Sequence, residues 1–162
     1  MSDARYKNPY SSSGAAARWN PKGTRMIYAA GSASLALLEY LCIKGTAVAT
    51  KPWYMVVFDI ANETLAGTLD PAGLLRPPNP LASGEGGPRD WNALPHGKAT
   101  QDFGKVWLDE KEFPFLRVPS ARLDITFYPG EFNLLINPDF PDITKLLRVV
   151  ESKAFTYLLN DG

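Results

Sequence analysis

Four side chains in this 162-residue chain, Arg18, Tyr28, Glu39 and Ser120, are of types that together suit one reaction class. A planar guanidinium fork such as Arg18 matches the pyrophosphate of a dinucleotide such as NAD. A flat ring such as Tyr28 can stack on a nicotinamide or a ribose. Breaking an N-glycosidic bond builds an oxocarbenium-like cation, and a fixed carboxylate such as Glu39 in a low-dielectric site stabilises it. A hydroxyl such as Ser120 can bind the nicotinamide amide or the phosphates. Types alone do not decide the matter, because an arginine, a tyrosine and a glutamate within forty residues occur in most proteins.

The elements that must position these groups follow from local pattern. Arg18-Trp19-Asn20 ends a loop, Pro21 to Gly23 is a turn, Arg25 to Ala30 is a short strand, and a helix opens near Ser32. From Ser34 to Ile43 that helix is apolar almost all round, which predicts burial. At about 100° per residue, Glu39 then projects between Leu35, Cys42 and Ile43, where a carboxylate must be paired or desolvated for a purpose. Lys44 and Arg25 are the plain structural partners for it. Lys44-Gly45 supplies a basic last turn and a C-cap.

Further along, Trp53 to Ile60 reads as a buried strand, and Leu69 to Gly97, with six prolines and five glycines, as a long irregular loop. Lys98 to Glu110 carries Ala99, Phe103, Val106 and Trp107 at helical spacing. Phe115 to Val118 is a short strand. Arg122 to Tyr128 and Phe132 to Asn137 flank Pro129-Gly130 as a β-hairpin, with Arg117 and Arg122 placed on strands to either side of Ser120. Ile143 to Leu147 is a helical turn, and Leu147 to Tyr157 a final strand or two. The expected architecture is a single α+β domain over residues 1–162, with a mixed or antiparallel sheet, flanking helices and an irregular lead-in at 1–13.

Composition narrows the class. Lys plus Arg and Asp plus Glu balance at 17 each, so no strong surface field points to nucleic acid or a membrane. No run approaches 18 apolar residues and the polar N-terminus lacks a signal-peptide core, so the expectation is a cytoplasmic protein with no membrane partner. Cys42 is alone, excluding an internal disulfide, and is expected as a small core hydrophobe. There is no GxGxxG after a strand, no GxxxxGK[ST], no CxxC and no HExxH, and a single histidine, His96, falls in the irregular loop. No metal is expected. A Ser-His-Asp triad has no support.

The wording of the motifs is more specific. Gly14-x-x-x-Arg18-Trp19-Asn20-x-x-Gly23, Tyr28-x-Ala30 and, eleven residues after Tyr28, Glu39 on an Ala/Leu-rich helix resemble the core of the RES-domain family, the toxins of Xre–RES toxin–antitoxin pairs. The resemblance continues through Thr100-Gln101-x-x-Gly104-x-x-Trp107, Val118-Pro119-Ser120-Ala121 and Asn133-x-x-x-Asn137-Pro138. It covers most of the chain, in family order. It departs at Ala16-Ala17, where the family often has Gly-Gly, and in having only Arg5 before Arg18.

The resemblance implies an ADP-ribosyltransferase-like fold and consumption of NAD, as substrate and not as cofactor, by cleavage of the nicotinamide–ribose bond. Water, phosphate or, in some members, a protein is the acceptor. Carried over residue by residue, Arg18 holds the phosphates or ribose, Tyr28 lines the nicotinamide pocket, Glu39 is the catalytic carboxylate and Ser120 is a polar pocket residue. Asn133 is a further binding candidate whose alternative role is to cap the hairpin turn. An Xre-type antitoxin is the implied protein partner, self-association is compatible with the resemblance, and a non-catalytic binding module is the alternative to an enzyme.

Overall fold

The computed structural model describes residues 2–3, 8–60 and 90–159. In chain order the elements are β1 (Ser2–Asp3), β2 (Ile27–Ala30), α1 (Ala33–Lys44), a 3-10 helix (Gly45–Thr50), β3 (Trp53–Ile60), α2 (Lys98–Glu110), β4 (Phe115–Val118), a 3-10 turn (Ile125–Phe127), β5 (Asn133–Ile136), α3 (Ile143–Leu146) and β6 (Leu147–Phe155). The strands form two antiparallel three-stranded sheets, ordered β1-β3-β6 and β2-β5-β4. The α+β class expected from the sequence is observed, in a form compatible with the ADP-ribosyltransferase-like core. The 69–89 part of the Pro/Gly-rich loop, and Arg5, lie outside the described residues.

The second sheet positions the site. Side chains alternate across a strand, so β5 sends Asn133 and Leu135 to one face and Leu134 and Ile136 to the other. In register, Tyr28 and Leu116 flank Leu135, while Ala30 and Val118 flank Asn133. Leu135, Leu116 and Val118 join Trp19, Met26, Trp91 and Trp107 in one buried cluster. Leu134, Ile136, Ile27 and Phe115 join Ile143 and Leu147 in the other. The central strand is thus covered on both faces, as its unbroken apolar run requires.

Several expectations need correction. The α1 helix is not buried all round: Leu35 is its one fully buried residue, Ile43 is 62% exposed and Cys42 is exposed. An apolar composition without a polar stripe says only that some face can be covered, and here a single side meets the domain. Together with the following 3-10 helix it makes an 18-residue stretch, Ala33–Thr50, of span-like length and apolarity, contrary to the expectation that no such run exists. The α-helical part is 12 residues, about 18 Å at 1.5 Å per residue, and it ends at Gly45, whose φ of 56° leaves helical geometry.

The hairpin is also different. Arg122 to Tyr128 is a turn and a 3-10 helix, and β5 pairs instead with β2 and β4. Asp124 caps the 3-10 turn by accepting the Thr126 N–H at 2.9 Å, a local bond that competes with strand formation. Strand β3 buries Trp53 but is half-exposed beyond it. The buried side of α2 is Thr100, Gly104, Trp107 and Leu108, with Val106 left exposed. The lead-in contains β1, which pairs Ser2 and Asp3 with Tyr54 and Trp53.

Candidate active site

The loop before β2 is built around Asn20. Its Nδ2 donates to the carbonyls of Ala15 (2.8 Å), Pro21 (3.2 Å) and Thr24 (2.9 Å), and its Oδ1 accepts from the Tyr28 hydroxyl at 2.8 Å. The same Tyr28 oxygen accepts the Trp19 N–H at 3.1 Å. An amide with two donors and an acceptor can close a turn in this way where a carboxylate could not. The loop forms with Ala16-Ala17 in place, Ala17 and Asn20 bonding backbone to backbone.

Helix α2 braces the loop from outside. Gln101 Nε2 donates to the Ala17 carbonyl at 2.9 Å. Gly104 is required by contact: a Cβ there would lie 1.9 Å from the Trp19 carbonyl oxygen. Trp19 packs edge-on against Phe103, with ring centroids 5.9 Å apart, and Trp107 is buried in the same cluster. Of the downstream NP pair, Asn137 donates to the Leu108 carbonyl at 3.0 Å, tying β5 to the end of α2. These motif residues hold the framework together.

Arg18 donates through one terminal nitrogen to the carbonyls of Trp91 (2.6 Å) and Ala93 (2.9 Å). Its remaining guanidinium donors have no hydrogen-bond partner among the described residues. Burial lowers its pKa first, then the like charge of Arg122, while Glu39 and Tyr28 act in the opposite direction. Arg122, Glu39 and Tyr28 therefore lie within electrostatic reach of Arg18.

Tyr28 is 39% exposed, yet its hydroxyl is enclosed by the two bonds above, so the exposure belongs to the ring. Desolvation of the hydroxyl raises its pKa well above the ordinary tyrosine value, against smaller downward effects of the Trp19 N–H and Arg18. The phenol is fixed in its neutral form, and what it offers a ligand is a surface.

Glu39 is the point of convergence. Its Oε1 accepts from Ser120 Oγ at 2.7 Å and from Asn133 Nδ2 at 2.6 Å. Its Oε2 faces Arg122, whose Nε is 3.9 Å away, with the two side chains 22% and 26% exposed respectively. Neither Lys44 nor Arg25 partners it: Arg25 is paired with Asp139. Asn133 is a partner of the carboxylate and not a cap of the turn. Ser120 is almost fully buried, and its Oγ also accepts the Arg122 N–H at 3.0 Å. Helix α1 is aimed by Ser32, whose Oγ accepts the Leu35 N–H at 3.1 Å and donates to Glu131 at 2.7 Å. Gly31 lets the chain turn into α1 against the Phe132 ring, which a Cβ would meet at 2.6 Å.

Of the sequence candidates, Glu39, Ser120 and Asn133 touch, while Arg18 is linked to Glu39 and Tyr28 only through electrostatic influence. Arg122, expected on a strand, lies instead in a turn beside Glu39. Its neighbour in type, Arg117, is carried with Leu134 to the opposite face of the sheet, where its guanidinium stacks 4.4 Å above the Phe132 ring. Arg117 is on strand β4, whereas Arg122 lies in the turn that follows it, and no sequence signal distinguishes the two. His96 is exposed, and no cluster of three metal-ligating side chains is present among the described residues.

Comparison with known proteins agrees with these motifs. The RES domain model matches residues 2–159. A "Prs ADP-ribosylating toxin" of Sphingobium sp. (strain YBL2) is 34% identical over 125 residues, covering 77% of this chain and 68% of that protein. A "Toxin Res" of Yersinia enterocolitica is 30% identical over 140 residues, 86% of this chain and 80% of its own length. A "Toxin Res" of Photorhabdus laumondii is 29% identical over 138 residues, 85% and 76% of the two chains. The chain belongs to the RES-domain family of toxins.

Proposed function

We propose that the protein is an NAD-consuming toxin that cleaves the nicotinamide–ribose bond, with Glu39 as the catalytic carboxylate. The observation that carries this reading is the arrangement of Glu39, with one oxygen fixed by Ser120 and Asn133 and the other left facing Arg122. As the bond between ribose C1′ and the nicotinamide nitrogen breaks, its electron pair leaves with the nicotinamide, which departs neutral. Positive charge develops over C1′ and the ring oxygen. A carboxylate already held in place needs no reorganisation to meet that charge. Arg18 would hold a phosphate with its unengaged donors, and the open Tyr28 ring would carry the nicotinamide. Water then adds to C1′ and loses a proton, giving ADP-ribose, or inorganic phosphate adds in its place.

A second reading, transfer of ADP-ribose to a protein, is favoured by the name of the Sphingobium relative at 34% identity. The chemistry at C1′ is shared, and only the acceptor differs. An antitoxin of the Xre type, covering the site, is the partner proposed for either reading.

The test is release of free nicotinamide from NAD by the purified chain, with and without phosphate, alongside Glu39→Gln. Nicotinamide release is expected, reduced by about 10² or more in the variant, the scale at which a preorganised charge matters. Labelled NAD separates the readings, since label enters protein only in the second. Absence of nicotinamide under both conditions, with no labelled protein, would overturn both.

A further inference from the structure

We infer that Arg122 is a ligand-holding residue that takes a phosphate next to a ribose hydroxyl bound at Glu39, so that the site selects phosphorylated ribose over neutral ribosides. The inference rests on the nicotinamide–ribose reading above and narrows its substrate class.

Arg122 lies in a turn and not on a strand, and the turn is fixed where its own N–H meets Ser120 Oγ at 3.0 Å. The side chain is 26% exposed, and its contact with Glu39 Oε2, at 3.9 Å, is too long for a hydrogen bond. Among the described residues its guanidinium has no hydrogen-bond partner. Its five donors are engaged by no described protein group, so an arriving anion can take them without breaking an existing hydrogen bond. Arg18 lies near enough that Arg122 depresses its guanidinium. Two cations thus face one carboxylate, leaving a surplus positive charge in a partly desolvated place.

The acidic side is equally unfinished. Oε1 is saturated by Ser120 and Asn133, while among the described residues Oε2 has only the long contact with Arg122. The ligand that completes both halves carries a hydroxyl to donate to Oε2 and, a few bonds away, an anion to accept from Arg122. A ribose phosphate has that layout. Phosphate alone would set its whole negative charge directly against Glu39, with only its own acidic P–OH to offer Oε2, whereas a ribose phosphate separates the anion from the donor by several bonds. A riboside would leave the guanidinium unmet.

ADP-ribose, which has no nicotinamide bond to cleave, serves as the probe in equilibrium binding to the wild-type chain, Arg122→Met and Arg122→Lys, with the melting midpoint of each as a check on folding. Loss of charge-assisted hydrogen bonds predicts affinity lower by about tenfold to a hundredfold in Arg122→Met. Arg122→Lys, which keeps the charge and stem but not the fork, is expected between the two. If Arg122→Met does not fold, a loss of threefold or more in folded Arg122→Lys sustains the inference, and a smaller loss overturns it. Wild-type affinity in folded Arg122→Met, or no binding of ADP-ribose by the wild type, also overturns it. Arg122-dependent binding without nicotinamide release from NAD would sink the proposed reaction and leave this inference standing. Nicotinamide release with Arg122-independent binding would do the reverse.

Discussion

Replacing Gly104 by alanine tests the framework through the sign of its effect. In an ordinary exposed helix interior, Gly→Ala stabilises by about 1 kcal/mol, since alanine restricts the unfolded chain and favours the helix. At Gly104 the new Cβ would lie 1.9 Å from the Trp19 carbonyl oxygen and 2.9 Å from its carbon, both backbone atoms that no rotamer change can move. Restoring ordinary contact requires α2 and the Arg18-Trp19-Asn20 loop to separate by roughly 1.5 Å. That movement stretches the 2.9 Å bond from Gln101 to the Ala17 carbonyl past hydrogen-bond range and loosens Trp107 in its cluster. Overpacking costs about 1–3 kcal/mol and the lost bond about 1 kcal/mol, against the gain of about 1 kcal/mol. The net expectation is a loss of about 2 kcal/mol, or about 4–8 °C in melting temperature for a chain of this size. Nicotinamide release should fall with it, because the displaced loop carries Arg18. A melting temperature equal to or above that of the wild type would refute the account of why this helix and this loop fit together.

Ser120→Ala removes one of the two donors on Glu39 and leaves the Arg122 N–H without its acceptor; a loss of about 1–3 kcal/mol in denaturant unfolding and at least tenfold in turnover is expected. Arg18→Ala should weaken NAD binding and also free the Trp91 and Ala93 carbonyls; unchanged affinity by calorimetry would remove Arg18 from the site. Ser32→Ala, read in the same unfolding assay, should cost about 1 kcal/mol through the lost cap of α1. Tyr28 makes stability fall at high pH. The unfolded phenol loses its proton near pH 10, whereas the enclosed one keeps it to higher pH. The unfolded state then binds fewer protons, so stability is full below about pH 10 and declines as pH rises above it. Tyr28→Phe should flatten that alkaline decline in melting temperature, and an unaltered profile would show that the hydroxyl is not enclosed.

Much of the local structure was legible because it obeys local rules. Ser32 and Gly45 bound α1, the helical period of 98–110 makes α2, and short β-branched and aromatic runs make β3 and β4. Family wording points to Arg18, Tyr28, Glu39, Ser120 and Asn133, of which Glu39, Ser120 and Asn133 are hydrogen-bonded together. Local pattern failed where two structures share one pattern. An all-apolar helix can be buried or can show a bare flank, and only packing put Leu35 inside and Ile43 outside. A Pro-Gly pair with apolar flanks fits a hairpin, yet the Asp124 cap and the register of β5 between β2 and β4 chose a 3-10 turn instead. That choice sent Arg122 to Glu39 and Arg117 to the other face. Sequence by itself determined which side chains are chemically competent, since competence is a property of the group. Tertiary structure alone decided which oxygen of Glu39 is occupied and which arginine faces it, because a hydrogen bond between residues 81 or 94 positions apart depends on how the sheet and helix close on each other and not on spacing along the chain.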